Sequence, residues 1–239
     1  MLAALAFLTP LRVGRAATAA PDGRTFAWFP LAGAAIGLLV GAVWWGAGEL
    51  WPPAVAAALA VTADVLVTGA LHVDGLADTA DGVLPHLPAD RRLAVMSEPD
   101  VGAFGVVAVV ITLLSRWSAL GSLAPDPLLV AGLWCASRTG MAVVARSVHY
   151  AREEGLASDF LGPGPAAPVL AVAGAVIAVP LVVVAASGVG ALALVAVAVV
   201  MTGVVAIARR QIGGFTGDVL GAAGILGETA GLLVAAARW

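Results

Sequence analysis

Lysine is absent from this sequence, and all 12 basic residues are arginines. That absence excludes no chemistry, because arginine carries the same charge, and it fits a bias of genome composition. Cysteine is nearly as scarce. The single Cys135 rules out an intrachain disulfide, and its place inside an apolar stretch suits a packing role. Charge of either sign is scarce too, at 11%, against about 25% in soluble domains. With so few charges and no long basic run, a nucleic-acid partner is excluded.

Hydrocarbon fills the chain instead. Apolar residues make up 61% and the mean hydropathy is +1.02. Several stretches reach the ~20 residues that cross a bilayer. Seven spans are expected, at 31–49, 53–71, 103–123, 128–148, 166–186, 189–208 and 219–237. The fold class that follows is all-α, a polytopic membrane helix bundle forming a single domain over 1–239. Phe26, Trp28 and Phe29 at one edge of the first span, and Trp44, Trp45 and Trp51 near the other, suit the two interfacial belts. The opening MLAALAFLTPLR has its positive charges after the apolar run, the reverse of a signal peptide. It is too short to span and is expected to lie on the membrane or re-enter it.

Seven spans make a topology that arginine can test. One side collects Arg12, Arg15, Arg24, Arg91, Arg92, Arg146, Arg152, Arg209 and Arg210; the other collects Arg238. The richer side is the cytoplasmic one. Four spans separate the end of the second from the start of the seventh, so the polar stretches there share one face of the membrane.

The first of those stretches is LHVDGLADTADG, residues 71–82. Asp74, Asp78 and Asp81 fall within it, in a chain with 15 acidic residues in all. Their i, i+4, i+7 spacing puts all three on one face of a helix, and small residues between them leave room for a ligand. Adjacent carboxylates repel unless a cation neutralises them, and Mg²⁺ takes one or two carboxylates and completes its shell with water and phosphate oxygens. A solvated acidic turn is the plainer alternative.

The second stretch is GGFTGD, residues 213–218. Gly213, Gly214 and Gly217 permit a backbone that turns N–H groups toward an anion. A helix follows, and its N-terminus favours phosphate. Thr216 is a phosphate donor by this reading, and Asp218 a helix cap or a further metal ligand. By itself GGFTGD also reads as an ordinary glycine turn. Four further residues carry weight. His72 is a base, a ligand or a plain interfacial histidine. Arg152, in YAREEGL, clamps a phosphate or pairs with Glu153 or Glu154. Arg138 and Asp64 lie within spans and either pair or line a cavity. MSEPDVGAFG, residues 96–105, closes over substrate or merely connects.

Taken in order, LHVDGLADTADG, MSEPDVGAFG, Ser137–Arg138, YAREEGL and GGFTGDVLGA resemble the cobalamin synthase family, from Phe29 through Glu228. The resemblance implies adenosylcobinamide-GDP ribazoletransferase activity in the cell inner membrane, with the site facing the cytoplasm. A ribose hydroxyl of α-ribazole, or of its 5′-phosphate, attacks the phosphorus attached to cobinamide and GMP leaves. It implies Mg²⁺ on Asp74, Asp78 and Asp218, with Asp81 a third ligand of the first motif or the general base, alongside His72. Substrate would be held by Gly213, Gly214, Thr216, Gly217, Arg152 and Arg138. Membrane lipid is the surrounding partner, and a homo-oligomer is compatible with the pattern. Two rivals remain. A CDP-alcohol phosphotransferase also uses Asp-rich membrane helices, but its usual signature has an arginine soon after the first Asp pair, where this chain has none before Arg91. An ion-coupled transporter fits less well, since most charge is at one interface and the acidic motif is not repeated.

Overall fold

The computed structural model describes residues 1–10, 22–152 and 162–238. Arg12, Arg15, Glu153 and Glu154 lie outside the described residues. Helix α1 (Leu2–Leu8) is followed by a 3₁₀ turn (Thr25–Trp28) that runs into α2 (Phe29–Gly48). Pro30 sits in the first turn of α2, where its missing N–H leaves no hydrogen bond unmade. There follow α3 (Pro53–Val67), α4 (Leu71–Val83), α5 (Ala89–Val95), α6 (Ala103–Ser122), α7 (Pro127–Ser147), α8 (Ala167–Ile212) and α9 (Gly217–Ala236). Among the described residues the lone β contact is an isolated bridge, Tyr150 to Phe215. The all-α expectation holds.

Helix α8 is 46 residues long but makes two spans, Ala167–Ala186 and Gly188–Ile212. A Cβ on Gly190 would lie 2.5 Å from the Val182 carbonyl oxygen. Eight residues of straight helix would separate them by about 12 Å, so the chain folds back on itself between the two arms. Both arms and α6 turn apolar side chains outward, among them Val106, Val110, Ile111, Val172, Val176 and Val199. Such faces bury their apolar surface in lipid.

The expected span at 53–71 needs correction. Helix α3 stops at Val67, and its ~22 Å of rise falls short of a ~30 Å hydrocarbon core. Gly69 and Ala70 both take left-handed backbone angles, φ 59° and 60°, and α4 departs at 86° to α3. Glycine tolerates that geometry, whereas an alanine in it costs about 1–2 kcal/mol. Among the described residues, six helices are long and apolar enough to cross alone, and a seventh crossing exists if the bent pair counts as one. The aromatic belts need a smaller correction. Trp28, Trp45 and Trp51 are exposed as expected, but Phe26, Phe29 and Trp44 are buried.

Helices α2 and α7 meet through glycine. Cβ atoms on Gly33, Gly37 and Gly41 would come within 2.6 to 2.7 Å of Trp134 O, Val130 O and Pro127 Cα. The pairing runs antiparallel, and this small-residue stripe lets two backbones touch where lipid supplies no hydrophobic drive for association.

Midway through the bundle, four helices are joined by charge. Arg116 (α6) binds Asp64 (α3) at 2.6 Å and Glu228 (α9) at 3.1 Å. Arg138 (α7) pairs with the other oxygen of Glu228, to which Ser137 also donates at 2.7 Å. The Trp134 indole donates to Asp64 at 2.9 Å, and the Arg116 guanidinium lies 4.7 Å over its ring. From Gly217 to Glu228 the rise is about 16 Å, roughly half the bilayer core. Charge at that depth is tolerated when paired, and two guanidiniums against two carboxylates make a neutral set.

The ends of these helices define two sides. Gly41 and Gly48 approach Pro127 and Pro125 at one. At the other lie α4, α5, the start of α6, the end of α7, both ends of α8 and the start of α9. The acidic motif and GGFTGD thus come out on one side, as the parity of the spans required.

Candidate active site

Helix α4 crosses the start of α9 at a glycine. A Cβ on Gly75 would stand 2.8 Å from the Asp218 carbonyl oxygen, and one on Gly221 would stand 3.3 Å from the Cα of His72. Those two close approaches set Asp74 and His72 beside Asp218. A third segment arrives from the end of α7. The Ala151 N–H donates to the Phe215 carbonyl at 2.8 Å, the Phe215 N–H donates to the His149 carbonyl at 2.9 Å, and the rings of Tyr150 and Phe215 meet edge to face at 5.3 Å. This short pairing delivers Arg152, whose Nη2 reaches Asp218 at 3.0 Å and the Met96 carbonyl at 3.3 Å. Among the described residues, the Nε of Arg152 is buried without a hydrogen-bond partner.

These groups line a cleft of about 110 Å³. His72, Asp74, Arg152, Gly217 and Asp218 form part of its wall, and Phe7, Leu8, Phe26, Phe29, Met141 and Tyr150 another part. Asp78, one turn beyond Asp74, feels the negative charges of Asp218 and Asp74 and the positive charge of Arg152. Asp78 is not among the residues that line the cleft, but with Asp74 and Asp218 it makes three carboxylates beside one paired guanidinium, a surplus of negative charge next to the cleft. Larger apolar grooves, of about 340 and 290 Å³, lie between α7 and α8 and behind α4. Their walls hold no carboxylates or guanidiniums, so chemistry rather than size selects the cleft.

The structure separates the remaining candidates. Asp81 is nearly buried and points away, toward α6. Its two oxygens accept from the Gly102 N–H at 2.7 Å and the Gly105 N–H at 2.9 Å, satisfying donors that a helix start leaves free. The loop 96–102 is tied down by that cap and by Arg152. Arg138 does not line the cleft, because Glu228 holds it in the mid-bundle network. Gly213 and Gly214 are also outside the cleft lining. Gly213 ends α8 with φ 80°, and Gly214 packs on the 149–151 segment. Thr216 is fully buried and caps α9, accepting from the Val219 N–H at 3.3 Å and donating to Asp218 at 3.2 Å. The expected phosphate cradle therefore narrows to Gly217 and the first turn of α9.

Other residues escaped sequence reasoning. Glu228 and Arg116 complete the pairing sought for Arg138 and Asp64, and their signal was available, as charges inside apolar spans. Arg92 donates from Nη1 to the carbonyls of Gly82 and Val83 at 2.9 and 2.8 Å, closing the C-terminus of α4. The phenylalanines of the cleft gave no sequence signal, since they look like any membrane-facing aromatics.

Over residues 1–236 the sequence matches the family model described as cobalamin-5-phosphate synthase. The chain belongs to this family. Similar proteins include three described as adenosylcobinamide-GDP ribazoletransferase. That of Bradyrhizobium diazoefficiens is 38% identical, over 98% of this chain and 92% of the relative. That of Azorhizobium caulinodans is 42% identical over 97% and 92%, and that of Klebsiella pneumoniae 34% over 97% and 96%. No solved structure matches the chain. As a cobalamin-5-phosphate synthase family member it is a membrane-embedded transferase of cobalamin biosynthesis, and the rival readings as a CDP-alcohol enzyme or a transporter lose their ground.

Proposed function

We propose that the cleft joins adenosylcobinamide-GDP to α-ribazole, or to α-ribazole 5′-phosphate, releasing GMP. The observation that carries this reading is the convergence of α4, the 149–152 segment and the start of α9 on one charged cleft.

The donor set fits a magnesium ion. Among the described residues, no three His, Cys, Asp or Glu side chains gather tightly enough to hold a metal by themselves. Mg²⁺ ordinarily binds in just that manner, through one or two carboxylates with substrate phosphates and water in the remaining positions. One or two of Asp74, Asp78 and Asp218 would hold it, all oxygen donors beside a single guanidinium. When bound, the ion neutralises phosphate charge as it builds up on the leaving group.

The protein's own residues do the rest by positioning and charge. Arg152 binds a phosphate through its guanidinium, with the unpartnered Nε available as a second donor. Gly217 and the first N–H groups of α9 face a second phosphate oxygen. His72, buried against α9 at the cleft wall, takes the proton of the ribose hydroxyl. That oxygen then bonds the phosphorus attached to cobinamide, the bond from this phosphorus to the oxygen of GMP breaks, and GMP departs with the electron pair. Asp81 is a positioning residue: with both oxygens engaged by α6, it fixes α4 rather than taking the proton.

Sidedness follows from arginine. Arg24, Arg91, Arg92, Arg146, Arg152, Arg209 and Arg210 lie on the side of the cleft, and Arg238 on the other. This supports an inner-membrane protein with its site open to the cytoplasm.

The test uses purified protein in detergent, given adenosylcobinamide-GDP and α-ribazole, with and without Mg²⁺, beside Asp74→Asn. Metal-dependent GMP release with cobamide formation, lost in a variant that melts normally, is the expected result. A folded wild type that makes no product, or full turnover in the variant, overturns the proposal.

A further inference from the structure

The cleft has a second wall that the phosphoryl transfer leaves unused. Phe7, Leu8, Phe26, Phe29 and Met141 face the same space as His72 and Asp74. The rings are mutually braced. Phe7 stacks on Phe29 at 6.1 Å and 27°, and Phe26 meets Phe29 edge-on at 4.9 Å and 66°. They come from α1, the 3₁₀ turn and the start of α2, elements that give the cleft no charged side chain. A wall of braced aromatic rings beside a cluster of carboxylates fits a ligand with a flat apolar end and a polar end, the usual make-up of a small-molecule site.

We infer, resting on the reaction above, that this wall receives the aromatic base of the ribazole and sets the choice of base. The two substrates carry three heteroaromatic bases, guanine, the adenine of the adenosyl ligand and the base of the ribazole; adenine, like guanine, has a polar edge, and the wall discriminates among them. Guanine carries an amide and an amino group along its edge. Pressed against Phe7, Leu8, Phe26, Phe29 and Met141, those groups would leave water without partners, which binding sites penalise heavily. A benzimidazole-type base offers a hydrocarbon ring and one free ring nitrogen. At about 110 Å³ the cleft is of the order of the ~150 Å³ apolar cavity that accepts benzene, so the hydrocarbon ring enters and the sugar stays at the mouth. With the base against the phenylalanines, the ribose lies at the polar wall, where His72 and Asp74 meet its hydroxyls. Guanine is left to the outer, solvated side.

The experiment measures KM for each substrate separately, at saturating Mg²⁺ and saturating partner, in wild type, Phe7→Ala and Met141→Phe. The first variant removes a ring from the wall and the second fills the space in front of it. Phe7→Ala is expected to raise KM for α-ribazole about tenfold, the worth of one aromatic contact, and to relax the preference among ribazoles with larger and smaller bases. Met141→Phe shifts that preference toward the smallest base. KM for adenosylcobinamide-GDP stays within about twofold in both. A rise in KM for adenosylcobinamide-GDP with KM for α-ribazole unchanged would put a base of that substrate, guanine or adenine, in the wall and overturn the inference. So would unchanged values for both substrates in variants that melt like wild type. Wild type making no product from these two substrates is a different failure, that of the reaction itself.

Discussion

Replacing Glu228 by glutamine perturbs the deepest charge in the bundle without changing its shape. In the wild type, Glu228 accepts from Arg116, Arg138 and Ser137, and Asp64 balances the second guanidinium. The substitution turns a neutral set of four charges into one with an uncompensated positive charge. It also puts an amide N–H where one of the guanidiniums expects an acceptor. Removing one partner from a buried pair costs about 3–5 kcal/mol, which for a chain of this size lowers the melting temperature by on the order of 10 °C. Arg138→Met, leaving a surplus negative charge, is expected to cost a similar amount.

The decisive measurement is the double variant. Arg138→Met with Glu228→Gln leaves Arg116 facing Asp64 and restores neutrality, so it should melt above the lower of the two single variants. The coupling energy should exceed about 2 kcal/mol, well beyond the few tenths expected of independent sites. Thermal melts in detergent, followed by tryptophan fluorescence, read this directly. Assayed well below its melting temperature, the double variant should retain turnover, because neither side chain lines the cleft. Additive losses, or a Glu228→Gln variant within about 1 kcal/mol of wild type, would refute the idea that charge balance governs this layer.

Two further outcomes follow from the geometry of α4. Asp81→Asn leaves one N–H at the start of α6 facing an amide donor and should cost about 1–3 kcal/mol, with turnover falling less than in Asp74→Asn; an unchanged melt with abolished turnover would instead make Asp81 the base. At the bend, Ala70→Gly should raise the melting temperature by relieving about 1 kcal/mol of left-handed strain, whereas Gly69→Ala should lower it. Unchanged or reversed shifts there would mean that the bend is held by something other than local backbone geometry.

Composition fixed the helical bundle, because 61% apolar content leaves few other folds, and the parity of the spans placed both motifs on one side. Asp74 and Asp218 were readable because acidic residues stand out in such a chain and glycines flank them. The bend at Gly69 and Ala70 was not readable, since LVTGALHVDG continues the hydrophobic run, and alanine gives no hint of a positive φ. The surroundings of Asp81 were not readable for a related reason. Its i+7 spacing from Asp74 says which face of α4 it occupies, but not that the start of α6 lies against that point. Arg138 looked like a substrate contact because its partner, Glu228, is 90 residues away and nothing in a linear reading ties the two together.

The two layers of charge follow opposite rules, and the difference explains their roles. In the middle of the bundle, Asp64, Arg116, Arg138 and Glu228 are balanced, and they join four helices. A neutral set there gains pairing without attracting an ion from outside, which is what a structural tie in lipid requires. At the cleft, Asp74, Asp78 and Asp218 outnumber Arg152, and α4 lies across the helix ends rather than along them. On the proposed reaction, that surplus charge would draw a divalent cation toward the space where phosphates arrive. The 86° bend is what permits both. Had α3 continued straight through Leu71 to Val83, Asp74, Asp78 and Asp81 would stand in line along one span. By turning at Gly69, the chain keeps Asp64 in the neutral layer and swings the next carboxylates sideways onto Asp218.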